Sequence, residues 1–172
     1  MEQASVVRAA LVVATAAVLD SVVVPYLTFG FFSPRLTLIA VVFAASPLRD
    51  LQAVLLGFFG GVLLDALSGD LFGVGALGGL LAAALSTRSS AVGLKSERVL
   101  LAQVAGLSVA GYDLIGYAAR RLAGLGTPQL SEYAVWGVLP DALINALIAF
   151  LIGGWLLQII NVKPQHTWDS GG

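Results

Sequence analysis

Four aspartates stand inside long apolar runs: Asp20, Asp65, Asp113 and Asp141, with Asn145 one helical turn beyond the last. A charged side chain at the centre of a membrane helix costs on the order of 2.5–3.5 kcal/mol, so each must pair, cap a helix end or serve a site. The chemistry open to them is narrow. The chain has no cysteine, and its one histidine, His166, lies in the polar tail. That excludes disulfides, thiolate nucleophiles, a Ser-His-Asp set within the apolar runs, and metal sites of the His/Cys type. The remaining acidic pattern, Gly69-Asp70, follows Ser68 in a turn and lacks the Gly-x-Gly-Asp context of a two-aspartate intramembrane protease. No catalytic, cofactor-binding or metal-binding constellation is read from the chain.

The elements that carry these residues follow from composition. Of 172 residues, 58% are hydrophobic and 11% charged, and the mean hydropathy is +0.93. Soluble domains carry roughly 25% charged residues, so this chain is an integral membrane protein that presents its surface to the lipid bilayer. A net charge of −1 offers no field for nucleic acid. Hydropathy and Gly/Pro punctuation predict an all-α, compact bundle of six transmembrane helices in one domain, residues 1–162, with spans at about 6–27, 36–46, 51–67, 71–85, 99–119 and 133–160. Residues 163–172 are a polar tail, and residues 86–97 read as a polar connection. No cleavable signal is evident, because the first apolar segment is of span length.

Six spans place both termini on one side. That side collects Arg8, Arg49, Arg88, Lys95, Arg98 and Lys163, and the other collects Arg35, Arg120 and Arg121. The positive-inside rule therefore predicts cytoplasmic termini and a cytoplasmic tail. Asp65 then lies fifteen residues beyond Asp50, about 22 Å along a helix rising outward. Asp113 lies equally far beyond Arg98, and Asp20 and Asp141 also fall towards the outer ends of their spans. The predicted outer-half polar cluster is Asp20, Asp65, Asp113, Asp141 and Asn145. Tyr26, Phe29, Phe31, Phe32, Tyr133 and Trp136 are expected at the outer interface.

Asp65 has a distinctive setting. Gly57, Gly61, Asp65 and Gly69 recur every fourth residue and form one helical ridge, with Gly73 just beyond. Small residues at this spacing let helices pack closely, so Gly57, Gly61, Asp65, Gly69 and Gly73 are expected to form a packing or partner seam. Gly75, Gly79 and Ala83 form a second small-residue ridge, and Gly137, Asp141, Asn145, Ala149 and Gly153 a third. Pro140 frees a carbonyl within the third.

The stretch from Pro34 to Leu77 resembles the core motif of the MreD family, rod-shape-determining membrane proteins of bacteria. The matching residues are Pro34, Leu38, Gly57, Phe58, Gly61, Asp65, Leu67, Gly69, Gly73, Ala76 and Leu77. Length, span number and absence of large extramembrane domains are also similar. The resemblance implies a non-enzymatic scaffold subunit of the cell-elongation machinery in the bacterial inner membrane, with no cofactor. Its implied partners are an MreC-like single-span protein, the RodA–PBP2 peptidoglycan synthase that it helps regulate, and the MreB filament; self-association is also compatible. Asp113-x-x-Gly116-x-x-x-Arg120 resembles a fragment of the metal motif of membrane CDP-alcohol phosphotransferases, but the Asp-Gly adjacency and the downstream Asp-x-x-x-Asp are missing. A competing resemblance is to six-span substrate-capture subunits of energy-coupling-factor vitamin transporters, similar in size, with an outward pocket that outer-half aspartates would suit.

Overall fold

The run from Leu36 to Ala45 contains no charged residue, and its only hydroxyl is Thr37. A helix apolar on every side is stable only when surrounded, and this one is enclosed: every residue from Thr37 to Ala45 is buried. The computed structural model describes residues 2–27, 33–69, 71–90 and 97–160. The chain opens with α1 (Glu2–Val22) and a single turn, α2 (Val24–Leu27). The central helix is α3 (Leu36–Ala45), followed by α4 (Asp50–Ser68), α5 (Val74–Ser90) and α6 (Glu97–Leu122). A turn, α7 (Leu130–Tyr133), leads through a π-helical turn, Ala134–Val138, into α8 (Leu139–Ile160). Helices α1, α4, α5, α6 and α8 all pack against α3.

Among the described residues, four helical stretches are long and apolar enough to cross a membrane: Ser5–Tyr26, Asp50–Ser68, Glu97–Leu122 and Leu130–Ile160. At 10 residues, α3 rises about 15 Å, half of a hydrocarbon core of about 30 Å. The 17 residues of α5 rise about 26 Å, and its Gly, Ser and Thr content keeps it less apolar. Large apolar side chains remain on the outside, among them Leu139, Leu143, Leu147 and Leu151 along one face of α8. A continuous apolar stripe of this kind suits lipid rather than water.

Local chemistry shifts several of the expected boundaries. The first span is interrupted at Val23, because Pro25 has no N–H and its ring collides with the carbonyl four residues back. The connection expected from residue 86 is helical up to Ser90. Its hydroxyls bond inward: Ser86 donates to the carbonyl of Val42 at 2.6 Å and Ser89 to that of Ser86 at 2.8 Å. In the last span the N–H of Leu139 reaches the carbonyl of Ala134, a five-residue step. This π-turn directly precedes Pro140, where the regular ladder would lack a donor. Phe29, Phe31, Phe32, Asp70, Lys95 and the tail with Lys163 and His166 lie outside the described residues.

Candidate functional site: carboxylates at the starts of buried helices

The expected seam on α4 divides in two. Ala53, Gly57, Gly60, Gly61, Leu64 and Asp65 are buried and share one face. Gly57 stands against Gly79 and Gly61 against Gly75, as an antiparallel pairing requires. A Cβ on Gly57 would run into the Gly79 carbonyl oxygen and come within 2.7 Å of the Ala83 Cβ. A Cβ on Gly61 would strike the Gly75 carbonyl and lie 2.7 Å from the Ala76 Cα. The two helices therefore meet backbone to backbone. Gly69 and Gly73 do not extend this contact, since a Cβ on either would meet nothing within 4 Å. Gly69 ends α4 in the left-handed conformation, φ 68°, which turns the chain away one residue before the ridge could continue.

Asp65 sits where the seam ends, and its carboxylate closes the start of α5. Oδ1 accepts the N–H of Gly75 at 2.6 Å, and Oδ2 accepts those of Gly73 at 2.8 Å and Ala76 at 3.1 Å. The first N–H groups of a helix have no partner in their own helix, and the helix dipole makes that end positive. In a medium without water, a carboxylate from a neighbouring helix satisfies both needs. Gly75 is required for this approach, because a Cβ there would be 2.5 Å from Asp65 Oδ1.

Asp20 does the same for α3. Its Oδ1 accepts the N–H of Leu36 at 2.8 Å and its Oδ2 that of Thr37 at 2.7 Å, and the Thr37 hydroxyl adds a short bond to Oδ2. The other end of α3 is also closed by side chains. Ser86 takes the Val42 carbonyl, and the Ser46 hydroxyl donates to that of Phe43 at 3.1 Å. A half-length helix can thus sit at membrane depth without stranded backbone groups.

Asp141 and Asn145 hold the segment that leads into α3. Asp141 Oδ1 accepts the N–H of Ser33 at 3.1 Å. Asn145 Oδ1 accepts the N–H of Arg35 at 2.7 Å, while its Nδ2 donates to the carbonyls of Ser33 at 3.2 Å and Asp141 at 2.8 Å. Asn145 is fully buried, which strengthens the bonds that its amide makes. The third ridge faces inward with it, through Ala149 and Gly153.

The five polar residues expected to form one cluster therefore form two groups. Asp20, Asp141 and Asn145 converge on residues 33–37, whereas Asp65 bonds to the start of α5. Asp113, on α6, belongs near the first group. It lines a small cleft of about 30 Å³ with Arg35, Tyr112, Gly116, Arg120 and Tyr133. The Arg35 guanidinium lies over the Tyr112 ring, 4.7 Å from its centre. Nearby, Tyr117 stacks on Tyr133 at 5.0 Å and its hydroxyl donates to the Pro128 carbonyl at 2.9 Å.

Sequence reasoning missed the partners more than the aspartates. Ser33 and Arg35 contribute through backbone N–H groups, which no side-chain pattern reveals. Thr37, one residue into a short apolar helix, was the legible cue. Arg98 was counted only as a cytoplasmic charge. Its guanidinium donates to the carbonyls of Phe150 at 2.5 Å and Leu151 at 3.0 Å and covers the Phe150 ring at 4.5 Å. No cluster of three or more His, Cys, Asp or Glu suited to a metal occurs among the described residues.

The family model for the rod shape-determining protein MreD matches residues 3–163. The chain belongs to the MreD family. No curated relative and no solved structure matches it. Family membership assigns this chain a role in rod-shape determination and fits an inner-membrane, multi-pass location. The match extends well past the Pro34–Leu77 stretch that carried the resemblance, so α6 and α8 with Asp113, Asp141 and Asn145 are part of an MreD-family domain.

Proposed function

We propose that this MreD-family chain is a non-enzymatic scaffold of the cell-elongation machinery. It binds an MreC-like single-span protein and through it helps regulate RodA–PBP2, with MreB on the cytoplasmic side. The observation that carries this reading is the occupation of the carboxylates. Both oxygens of Asp20 and both oxygens of Asp65 are committed to backbone N–H groups at helix starts. Carboxylates held this way orient helices rather than transfer protons or bind metal. The exposed apolar faces of α1 and α8 give the bundle its means of contact, span against span.

In this reading all six helices α1, α3, α4, α5, α6 and α8 count as spans of one domain, 1–162, with α3 crossing only part of the bilayer and both termini in the cytoplasm. The basic residues Arg8, Arg49, Arg88 and Arg98 on the side of the termini support that orientation. The vitamin-capture alternative has less support. Ligand pockets usually enclose about 300–1,000 Å³. The cleft lined by Asp113 encloses about 30 Å³, and the larger clefts, about 370 Å³ beside Trp136 and about 310 Å³ beside Trp155, are lined by none of the four aspartates.

Purification of the tagged chain from rod-shaped cells in mild detergent tests the proposal. A single-span MreC-like protein should come along in near-stoichiometric amount. A bound vitamin with no such partner would overturn it.

A further inference from the structure

Two of the residues that line the cleft beside Asp113 each carry a buried polar atom without a partner. Asp113 Oδ2 and Arg35 Nε are both enclosed, and neither has a hydrogen-bond partner among the described residues. Asp113 as a whole is 6% exposed. A buried polar group without a partner costs about 1–3 kcal/mol, and native proteins nearly always supply one. Arg35 Nε can only donate and a carboxylate Oδ2 can only accept. An occupant serving both must accept from one and donate to the other. A metal ion cannot accept, and a bare anion cannot donate. Size narrows the choice further. The cleft encloses about 30 Å³, while one water needs about 10–15 Å³ of such space. A lipid phosphate is too large to be enclosed there.

We propose that the Arg35–Asp113 cleft is a structural hydration site, in which one or two ordered waters bridge Arg35 Nε–H to Asp113 Oδ2. The bridge ties α6 to the segment that starts α3, next to the bonds that Asp141 and Asn145 make to the same segment. Gly116 keeps the space open. A Cβ at this position would lie 3.5 Å from Val74 Cγ1, so the absence of a side chain is not forced by contact with a neighbouring helix.

A high-resolution structure of the full chain in lipid tests this directly. The expected result is a compact solvent peak within about 2.7–3.2 Å of both Asp113 Oδ2 and Arg35 Nε. A direct Arg35–Asp113 contact, a dry cleft, or elongated density continuing into a lipid headgroup would each overturn the proposal. Thermal unfolding of two variants gives a second measurement. Asp113→Asn keeps an acceptor for the water and should stay within about 3 °C of wild type, whereas Asp113→Leu should fall by about 4–10 °C. Equal losses in the two variants would show that charge pairing alone holds the joint. An unchanged melting temperature in Asp113→Leu would show that nothing bridges it.

Discussion

Asp65 on α4 accepts the N–H of Gly75 at 2.6 Å, and Gly75 is also the residue that the Gly61 backbone packs against. One small residue therefore serves two purposes: it lets the helices touch and presents its amide to the carboxylate. The motif that spaces Gly57, Gly61 and Asp65 by fours reads as a contact followed by a cap. The glycines bring α5 to backbone distance, and the aspartate then closes the end of the helix they brought in. Asp20 and α3 repeat the cap without a glycine at i−4, since Ala16 stands there.

The division of the glycines leads to a sharp contrast. Gly61→Ala should force α4 and α5 apart, because its Cβ would collide with the Gly75 backbone. A loss of about 2–4 kcal/mol is expected, seen as a fall of roughly 5–12 °C in melting temperature. Gly69→Ala meets no atom within 4 Å and carries only the strain of φ 68°, about 1 kcal/mol. Thermal unfolding in detergent separates the two.

Asn145 holds Ser33 and Arg35 by two hydrogen bonds that alanine cannot replace. Asn145→Ala should release residues 33–35 while leaving the rest of α8 in place. The chain has no native cysteine, so a single cysteine introduced as Ser33→Cys reports this cleanly. Its labelling by a maleimide should be at least about threefold faster in the Asn145→Ala background, in keeping with the loss of more than 0.6 kcal/mol of local protection.

Arg98 fastens the start of α6 to α8 through two carbonyls, and its side chain runs beside Gly153 and Gly154. Arg98→Lys retains the charge but not the planar fork that reaches both oxygens. It should lower the melting temperature by about 2–6 °C, and Arg98→Ala by more. Equal stability of wild type and Arg98→Lys would mean that the guanidinium contributes only its charge, and equal stability of wild type and Arg98→Ala that it contributes nothing.

Much of the fold was legible because hydropathy and small-residue spacing are strong signals in a chain this apolar. The places of Asp20, Asp65, Asp113 and Asp141 within helices followed directly. What could not be read was what the carboxylates face. The partners of Asp20, Asp65 and Asp141 are backbone amides of residues 33–37 and 73–76, and every residue but proline carries one. The single cluster expected of all five polar residues divides because Asp65 reaches the next helix in sequence, whereas Asp141 and Asn145 reach back more than a hundred residues. The helical continuation to Ser90 was hidden for a related reason. Ser86 and Ser89 look like a loop by polarity, yet their hydroxyls are consumed by nearby carbonyls.

The topology has its own test. With cytoplasmic termini, a reporter fused after residue 160 that works only in the cytoplasm should be active, and one that works only in the periplasm should be silent. The reverse pattern would invert the assignment of outer and inner ends for all four aspartates.

Asp65 acts by holding α5 in place. The most direct measurement pairs thermal unfolding of Asp65→Leu in detergent with its ability to restore rod shape in cells lacking the native protein. Leucine leaves three N–H groups without their acceptor, so the melting temperature should fall by about 6–12 °C and shape should fail with it. A variant that melts like wild type yet cannot restore shape would contradict the claim, and would make Asp65 a contact for a partner or ligand instead.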